Sequence, residues 1–174
     1  MADYDLGPLP HHITGGCLCG KIAWRVVFPE GHDFKANSAT CQCTQCRKTT
    51  SGLFFIWKRV PYACLTWTTP LDTLKKYYCT ENCARAFCGE CGTFLYWRLE
   101  TGPNICLPVG TIDPLWLFGE GREESEEEVP PGGFGRALVN ACGEHLWIKN
   151  QIPGVTDNLT ILGADGRAPR LETE

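Results

Sequence analysis

Long apolar runs and an export signal are both missing from this chain of 174 residues. No window approaches the ~18 consecutive apolar residues that a membrane span requires. The first residues, MADYDLGPLPHH, contain neither the basic nor the apolar region of a secretory signal. We therefore expect a cytoplasmic protein that does not interact with membranes.

Positive charge is also scarce. Lys and Arg number 16 against 20 Asp and Glu, which gives a net charge of -4, and five of the acids lie in residues 123–128. A nucleic-acid-binding protein would carry a basic stripe with interleaved aromatic residues, so no nucleic-acid partner is expected. The acidic run lies in a stretch rich in Gly and Pro, residues 119–133, which we interpret as an exposed loop. We predict one domain spanning residues 1–174.

Helical periodicity is weak, because no segment shows a 3.6-residue apolar stripe over three turns. Residues 21–28 instead alternate between apolar and polar side chains, as expected for a strand with one buried face. Similar short runs lie at 53–60, 74–79, 93–99 and 104–109. Short helices are plausible only at 47–51 and 135–146. The pattern predicts a mainly β fold.

Cysteine, by contrast, is abundant, with twelve residues in the chain. Without an export signal, reduced thiols are expected, and metal binding is favoured over disulfides. Seven cysteines form three clusters: Cys17 and Cys19; Cys41, Cys43 and Cys46; Cys88 and Cys91. For most of the other five we expect only the role of small buried apolar residues; they are Cys64, Cys79, Cys83, Cys106 and Cys142.

The local spacing of each cluster suits a metal ion. The pair CxC on a strand would direct both sulfurs to one face. The CxxC pair is followed by Gly92, which can adopt the positive φ that a metal-binding turn often needs. Zn²⁺ is the first choice for thiolate ligands in tetrahedral geometry, and an iron–sulfur cluster is the alternative.

Seven thiols do not form two complete four-thiolate sites. Spacing alone does not pair the clusters, but the simplest partition places Cys41, Cys43 and Cys46 in a three-thiolate site. Cys17, Cys19, Cys88 and Cys91 would then form a closed, structural site, and the three-thiolate site would keep an open position typical of a catalytic metal. In the alternative, a distant Cys or His completes the second site, which is then structural too.

A three-thiolate zinc site carries a formal charge of -1 and is a weak Lewis acid, so it is poorly suited to hydrolysis. It is better suited to binding a fourth sulfur, which predicts a thiol substrate. Arg47 and Lys48 follow Cys46 directly and are candidates for binding a substrate carboxylate.

Three segments, in this order, resemble the glutathione-dependent formaldehyde-activating enzyme family, which shares its domain with the centromere protein V group. They are GGCLCGKI at 15–22, CQCTQCRK at 41–48 with Gly52 behind it, and RAFCGECG at 85–92 with Leu95 behind it. The matching region spans a little under half of the chain.

The resemblance implies a β-tent fold like that of the small zinc-binding Rab exchange factors, with short antiparallel sheets around the zinc sites. It implies two Zn²⁺ per chain, one structural and one catalytic, on the ligand sets given above. It also implies a carbon–sulfur lyase that forms or cleaves S-hydroxymethylglutathione, with glutathione and its adducts as partners.

A non-catalytic, zinc-stabilised binding module of the Rab-exchange-factor type is the alternative function. A binding module that acts on the cytoskeleton or on chromatin should carry a basic extension, and none is visible in this sequence. We therefore favour the enzyme. Neither the electrophile nor the oligomeric state is specified by the sequence.

Overall fold

A computed structural model describes residues 4–173. Within them the fold contains eleven strands and three short α-helices. The strands are β1 His12–Gly16, β2 Ala23–Val27, β3 Ser38–Cys41, β4 Phe55–Pro61, β5 Leu65–Trp67, β6 Leu74–Thr80, β7 Cys83–Cys88, β8 Phe94–Leu99, β9 Asn104–Pro108, β10 His145–Leu146 and β11 Arg170–Leu171. The helices are α1 Thr44–Thr50, α2 Pro114–Phe118 and α3 Gly135–Leu138. None of these described helices has the length and apolar character needed to span a bilayer.

The strands form two sheets. The smaller has the order β1-β2-β5, and the larger has the order β11-β10-β3-β4-β9-β8-β7-β6. All pairs are antiparallel except β3-β10 and β10-β11, which are parallel. The prediction of a mainly β fold is confirmed. The likeness to the tent of the Rab exchange factors stays a prediction.

Strand β2 shows how the sequence pattern produces burial. Ile22, Trp24, Val26 and Phe28 alternate with polar or exposed residues and are all at most 6% exposed. They contribute to one apolar core that both sheets share. Gly15 of β1 is required here, because a side chain at this position would collide with the Trp24 ring and with the Thr111 carbonyl.

The larger sheet has two covered faces. On strand β4, Val60 points into the main core, whereas Phe55 and Trp57 belong to a second apolar cluster on the opposite face. On β9, Ile105 and Leu107 enter the main core and Cys106 enters the second cluster. Alternation along each strand therefore divides the molecule into a main core and a smaller compartment near α1.

Two local predictions need correction. Cys17 and Cys19 do not lie on a strand: β1 ends at Gly16, and both cysteines occupy the turn before β2. The helix expected at 135–146 ends at Leu138. It stops there because the Asn140 side chain donates hydrogen bonds to the carbonyls of Phe34 and Ala137 and accepts one from the Cys142 amide, so it competes with helical backbone bonding.

The acidic stretch, residues 119–133, contains no helix or strand. It nevertheless contacts the rest of the fold. Val129 is buried in the main core, and the Glu127 carboxylate lies 3.0 Å from His12 Nε2.

Candidate metal centres and candidate active site

The first cysteine cluster joins two distant segments of the chain. The Sγ atoms of Cys17, Cys19, Cys88 and Cys91 all lie within 4.8 Å of one another. Cys17 and Cys19 are 3.5 Å apart, and Cys19 and Cys88 are 3.8 Å apart. Sulfurs that share a tetrahedral Zn²⁺ with bonds of about 2.3 Å lie about 3.8 Å from each other. This group can therefore hold one metal ion of that size.

Tight turns present these sulfurs. The Ile22 amide donates to Cys17 Sγ at 3.3 Å, and Thr93 Oγ1 lies 3.3 Å from Cys91 Sγ. Gly92 has a φ of +75°, which only glycine adopts without strain. The hydrogen bond with Thr93, together with the backbone amides, lowers the pKa of Cys91 to about 5, which favours the thiolate form that binds metal.

The second cluster comes from a single short segment. Cys41 ends β3, Cys43 precedes α1 and Cys46 lies in its first turn, and their Sγ atoms also lie within 4.8 Å of one another. The helix begins at Thr44, three residues earlier than predicted, because the Cys43 side chain caps it by accepting a hydrogen bond from the Cys46 amide at 3.3 Å.

The three thiols cannot all ionise easily without a cation. Hydrogen bonds from the Cys41 and Cys46 thiols lower the pKa of Cys43 far below its usual value. The neighbouring Cys41 and Cys43 sulfurs in turn raise the pKa of Cys46. One thiolate forms readily and the next is opposed by its negative charge. A divalent cation would remove that opposition, so the donor chemistry of this cluster fits a metal ion.

The three-thiol cluster opens onto a cavity of about 570 Å³, within the range of small-molecule sites. Its floor is the second face of the large sheet, formed by residues of β4, β9, β8 and β7 that point the same way. Examples are Trp57, Cys106, Trp97 and Arg85. Helix α1 borders the cavity on the side of the cysteines.

Large apolar side chains dominate the cavity walls. Phe55, Trp57 and Trp97 come from the sheet, and Leu146 and Trp147 come from the C-terminal part. The tryptophans at 57, 97 and 147 pack in the second apolar cluster and also line this cavity. Such walls restrict water around a bound ligand.

The wall at Trp147 is held in an uncommon backbone conformation. Trp147 has a φ of +61°, a region that bulky residues rarely adopt. The Lys149 ammonium group lies 4.7 Å from the centroid of the ring. Nearby, Thr156 Oγ1 donates to Gln42 Oε1 at 3.0 Å, and Asn150 donates to the Gln42 carbonyl. These bonds hold residues 150–156 against the segment 41–46, which carries the three cysteines.

Two arginines line the cavity, and sequence reasoning missed both as site residues. Arg59 Nη2 lies 3.2 Å from the Glu144 carboxylate. Arg85 is 6% exposed and donates from Nη2 to Gln45 Oε1 at 2.5 Å. The sequence offered only a weak signal for them. Each arginine lies two residues from another cavity-lining residue of its strand, Arg59 from Trp57 and Arg85 from Cys83, so that both side chains of each pair point to the same face.

Arg47 and Lys48, the predicted substrate-binding residues, lie elsewhere. Lys48 is exposed and Arg47 half-buried on α1, and the described residues that line the cavity include neither. Their assignment to a substrate stays a prediction.

The five unclustered cysteines differ in their surroundings. Only Cys106 is buried, and burial raises the pKa of its thiol to about 11. Cys79 is exposed, and Cys64, Cys83 and Cys142 are half-buried, so the expectation that most of them are buried apolar residues is wrong. Cys83 and Cys106 line the cavity. All twelve cysteines are free thiols.

A mainly β fold with one four-thiol and one three-thiol cluster places the chain among cysteine-rich proteins whose thiol clusters could hold metal ions. The model of the glutathione-dependent formaldehyde-activating enzyme family matches residues 12–129. Since this match covers more than half of the chain, the chain belongs to that family.

Individual relatives are distant. A protein from Emericella nidulans, named "Putative glutathione-dependent formaldehyde-activating enzyme", is 27% identical over 158 residues, which are 90% of this chain and 76% of the relative. A protein from Schizosaccharomyces pombe, named an uncharacterized lyase, is 27% identical over 95 residues, which are 52% of this chain and 60% of that protein. A solved structure of a Rhodobacter sphaeroides protein has a TM-score of 0.49 and 21% identity, covering 66% of this chain and 96% of that one.

Proposed function

We propose that this protein is a zinc-dependent carbon–sulfur lyase. It forms or cleaves the adduct of a thiol such as glutathione with a small aldehyde or a related electrophile. The observation that carries this proposal is the contrast between the two thiol clusters. All three cysteines of one cluster line a cavity of about 570 Å³, whereas in the four-thiol cluster Cys17 and Cys88 are buried in the main core and Cys91 packs against it. Membership of the family supports the thiol and the aldehyde as substrates.

In this proposal, each cluster holds one Zn²⁺. Cys17, Cys19, Cys88 and Cys91 would complete a tetrahedral, structural site. Cys41, Cys43 and Cys46 would supply only three ligands, so that a substrate sulfur can become the fourth. A zinc ion bound there would keep an incoming thiol deprotonated near neutral pH.

The reaction needs no oxidant or reductant. In the forming direction, the thiol gives its proton to solvent water, its sulfur attacks the aldehyde carbon, a carbon–sulfur bond forms and the carbonyl π bond breaks. The oxygen then takes a proton and gives a hemithioacetal; cleavage reverses these steps. The described residues that line the cavity include no histidine and no carboxylate, so we assign the proton to solvent water.

The walls of the cavity would position both reactants. Phe55, Trp57, Trp97 and Trp147 offer apolar contact to the carbon side of the electrophile and exclude bulk water from the weakly bound adduct. The roles of the chain's own residues are thus thiol capture at the cysteines and enclosure by the aromatic side chains.

We also propose that residues 1–174 form one domain of the β-tent type in the cytoplasm. Support for a single domain comes from the shared core, since Ile13 and Trp24 of the small sheet pack in the same cluster as Leu95 and Ile105 of the large sheet.

Adduct exchange measures the proposed activity directly. Reduced, zinc-loaded protein is incubated with glutathione and a panel of aldehydes from formaldehyde to benzaldehyde, and exchange between free thiol and hemithioacetal is followed by NMR. We expect exchange faster than the uncatalysed background for at least one aldehyde. Cys43→Ser should abolish the acceleration, and Cys64→Ser, a half-buried cysteine outside both clusters and the cavity, should retain it.

Exchange at the background rate for every aldehyde would contradict the enzyme. It would favour the non-catalytic, zinc-stabilised module instead.

A further inference from the structure

A buried guanidinium group without an acidic partner lies in the cavity. Arg85 of β7 is more than nine-tenths buried, and its side chain lines the cavity. Its Nη2 donates to Gln45, but its Nη1 is buried with no hydrogen-bond partner. Among the ion pairs of residues 4–173, none includes Arg85. A buried charged donor without an acceptor is costly, which points to an acceptor, such as an anion, that completes this site.

The described surroundings leave Arg85 without a carboxylate partner from the protein. Arg59, the other arginine on the cavity, already has the Glu144 carboxylate as its partner. The described lining residues contribute no carboxylate for Arg85. A guanidinium group can bind a planar carboxylate with two parallel hydrogen bonds. Because Nη1 is buried in this conformation, the Arg85 side chain would turn toward the cavity to present both donors.

The position of Arg85 relative to the three-cysteine cluster is set by Gln45. Gln45 lies on α1 directly before Cys46 and holds the guanidinium through its side-chain oxygen at 2.5 Å. Arg85 and the three cysteines also line the same cavity. One molecule that carries both a thiol and a carboxylate can reach both.

We propose that Arg85 binds a carboxylate of the thiol substrate, so that the cavity selects anionic thiols such as glutathione and its adducts over neutral ones. This inference rests on the proposed function for the identity of the thiol. In this inference the substrate carboxylate binds Arg85, which Gln45 holds in position, and not Arg47 or Lys48, the residues that the sequence predicted for this role.

Binding of S-methylglutathione, which has carboxylates but no free thiol, tests the anchor without requiring turnover. Titration calorimetry is performed on the zinc-loaded wild-type protein with S-methylglutathione and with its diethyl ester. We expect the ester, which lacks the carboxylate charges, to bind about 10- to 100-fold more weakly, the range expected for hydrogen bonds to charged groups. This comparison needs no variant and so cannot fail through misfolding.

Two substitutions of Arg85 test whether the affinity for the carboxylates depends on this residue. Arg85→Met should weaken S-methylglutathione binding about 10- to 100-fold and bring it to the level of the ester. Arg85→Lys, which keeps the charge but not the planar fork, should restore part of the affinity. Arg98→Met is the matched control, because Arg98 is a half-buried arginine of β8 outside the cavity whose guanidinium group stacks on Tyr62, and binding should be unchanged.

Equal affinity for S-methylglutathione and its ester would overturn the inference, as would no measurable binding to the wild-type protein. So would an Arg85→Met variant that binds like wild type, in which case Arg85 only balances the charge of the cysteine cluster. These results are separable from the fate of the lyase proposal, because aldehyde exchange is measured independently: an anion-selective cavity without exchange would overturn only the lyase.

Discussion

The two cysteine clusters offer the same thiol groups, but they join segments separated by very different lengths of chain. The four-thiol cluster brings together residues 69 positions apart, Cys19 and Cys88. The three-thiol cluster uses cysteines within a six-residue segment. A cross-link that closes a long loop removes much more entropy from the unfolded chain than one within a single turn. A metal at the first cluster would therefore stabilise the fold, and a metal at the second would contribute little to stability.

Their surroundings differ too, apart from one member of each cluster: Cys19 is exposed and Cys41 is buried. Cys17 and Cys88 are buried in the main core, and Cys91 packs against it. Cys43 and Cys46 are half-buried and line a cavity. Two observations therefore distinguish a structural thiol cluster from a candidate catalytic one. They are whether the sulfurs face the core or a cavity, and how many residues separate the cysteines in the sequence.

The largest expected effect is on the four-thiol cluster. Cys88→Ser removes one ligand from the long-range closure, and we expect it to lower the free energy of unfolding by about 5 kcal/mol, as for loss of a structural metal site. Urea unfolding of zinc-loaded protein, followed by circular dichroism, measures this. Cys79→Ser on the exposed edge strand β6 is the control and should unfold like wild type; wild-type stability of Cys88→Ser would break the comparison.

The second prediction concerns the three-thiol cluster. Cys43→Ser should leave the free energy of unfolding within about 1 kcal/mol of wild type, because its sulfur closes only a local turn. Bound zinc should fall from two atoms per chain to one, and adduct exchange should fall at least about 100-fold. Metal analysis and NMR exchange on the same sample check both. Global unfolding of this variant would show that both clusters are structural.

A third prediction separates pH effects on the core from those on the cysteines. Lys58 is fully buried on the face of β4 opposite the cavity, and burial lowers its pKa from 10.5 to about 7. Between these values the unfolded chain binds a proton that the folded chain does not, so stability rises with pH from about 7 to about 10.5. Lys58→Met should remove a slope of about 1 kcal/mol per pH unit in that window.

Urea unfolding of both proteins between pH 7 and 10 gives this difference, and the shared contribution of the cysteines cancels between them. An identical pH slope in the two proteins would mean that Lys58 remains charged in the core.

The smallest expected effect is at the cavity wall. Trp147→Gly and Trp147→Ala remove the same ring, but only glycine adopts a φ of +61° freely. We expect the glycine variant to be more stable than the alanine variant by about 1 kcal/mol. Both variants should keep two zinc atoms, because the ring lies outside both clusters. A more stable alanine variant would indicate that the backbone leaves the left-handed region once the ring is removed.

The sequence predicted those parts of the molecule that depend on neighbours in the chain. The three cysteine clusters are recognisable because their cysteines are two or three residues apart, and β2 because Ile22, Trp24 and Val26 alternate cleanly with polar or exposed residues. The local errors arose from competing local interactions, such as the cap that Cys43 provides to α1 and the side-chain hydrogen bonds of Asn140.

The cavity itself could not be predicted, because it depends on the order of strands in the large sheet. Arg85, Trp97, Cys106 and Trp57 meet only because β7, β8, β9 and β4 are neighbours. Strand β7 was missed since its core face carries the small residues Ala84 and Ala86, which give little hydrophobic contrast with the other face.

Anomalous diffraction at the zinc edge from reduced, zinc-loaded crystals tests the central claim most directly. We predict a zinc peak bonded to the sulfurs of Cys41, Cys43 and Cys46 at about 2.3 Å, with water or an added thiol as the fourth ligand on the cavity side. A fourth ligand from the protein, such as Cys83 or Cys106, would contradict the account, and so would a disulfide among the three cysteines with no metal bound.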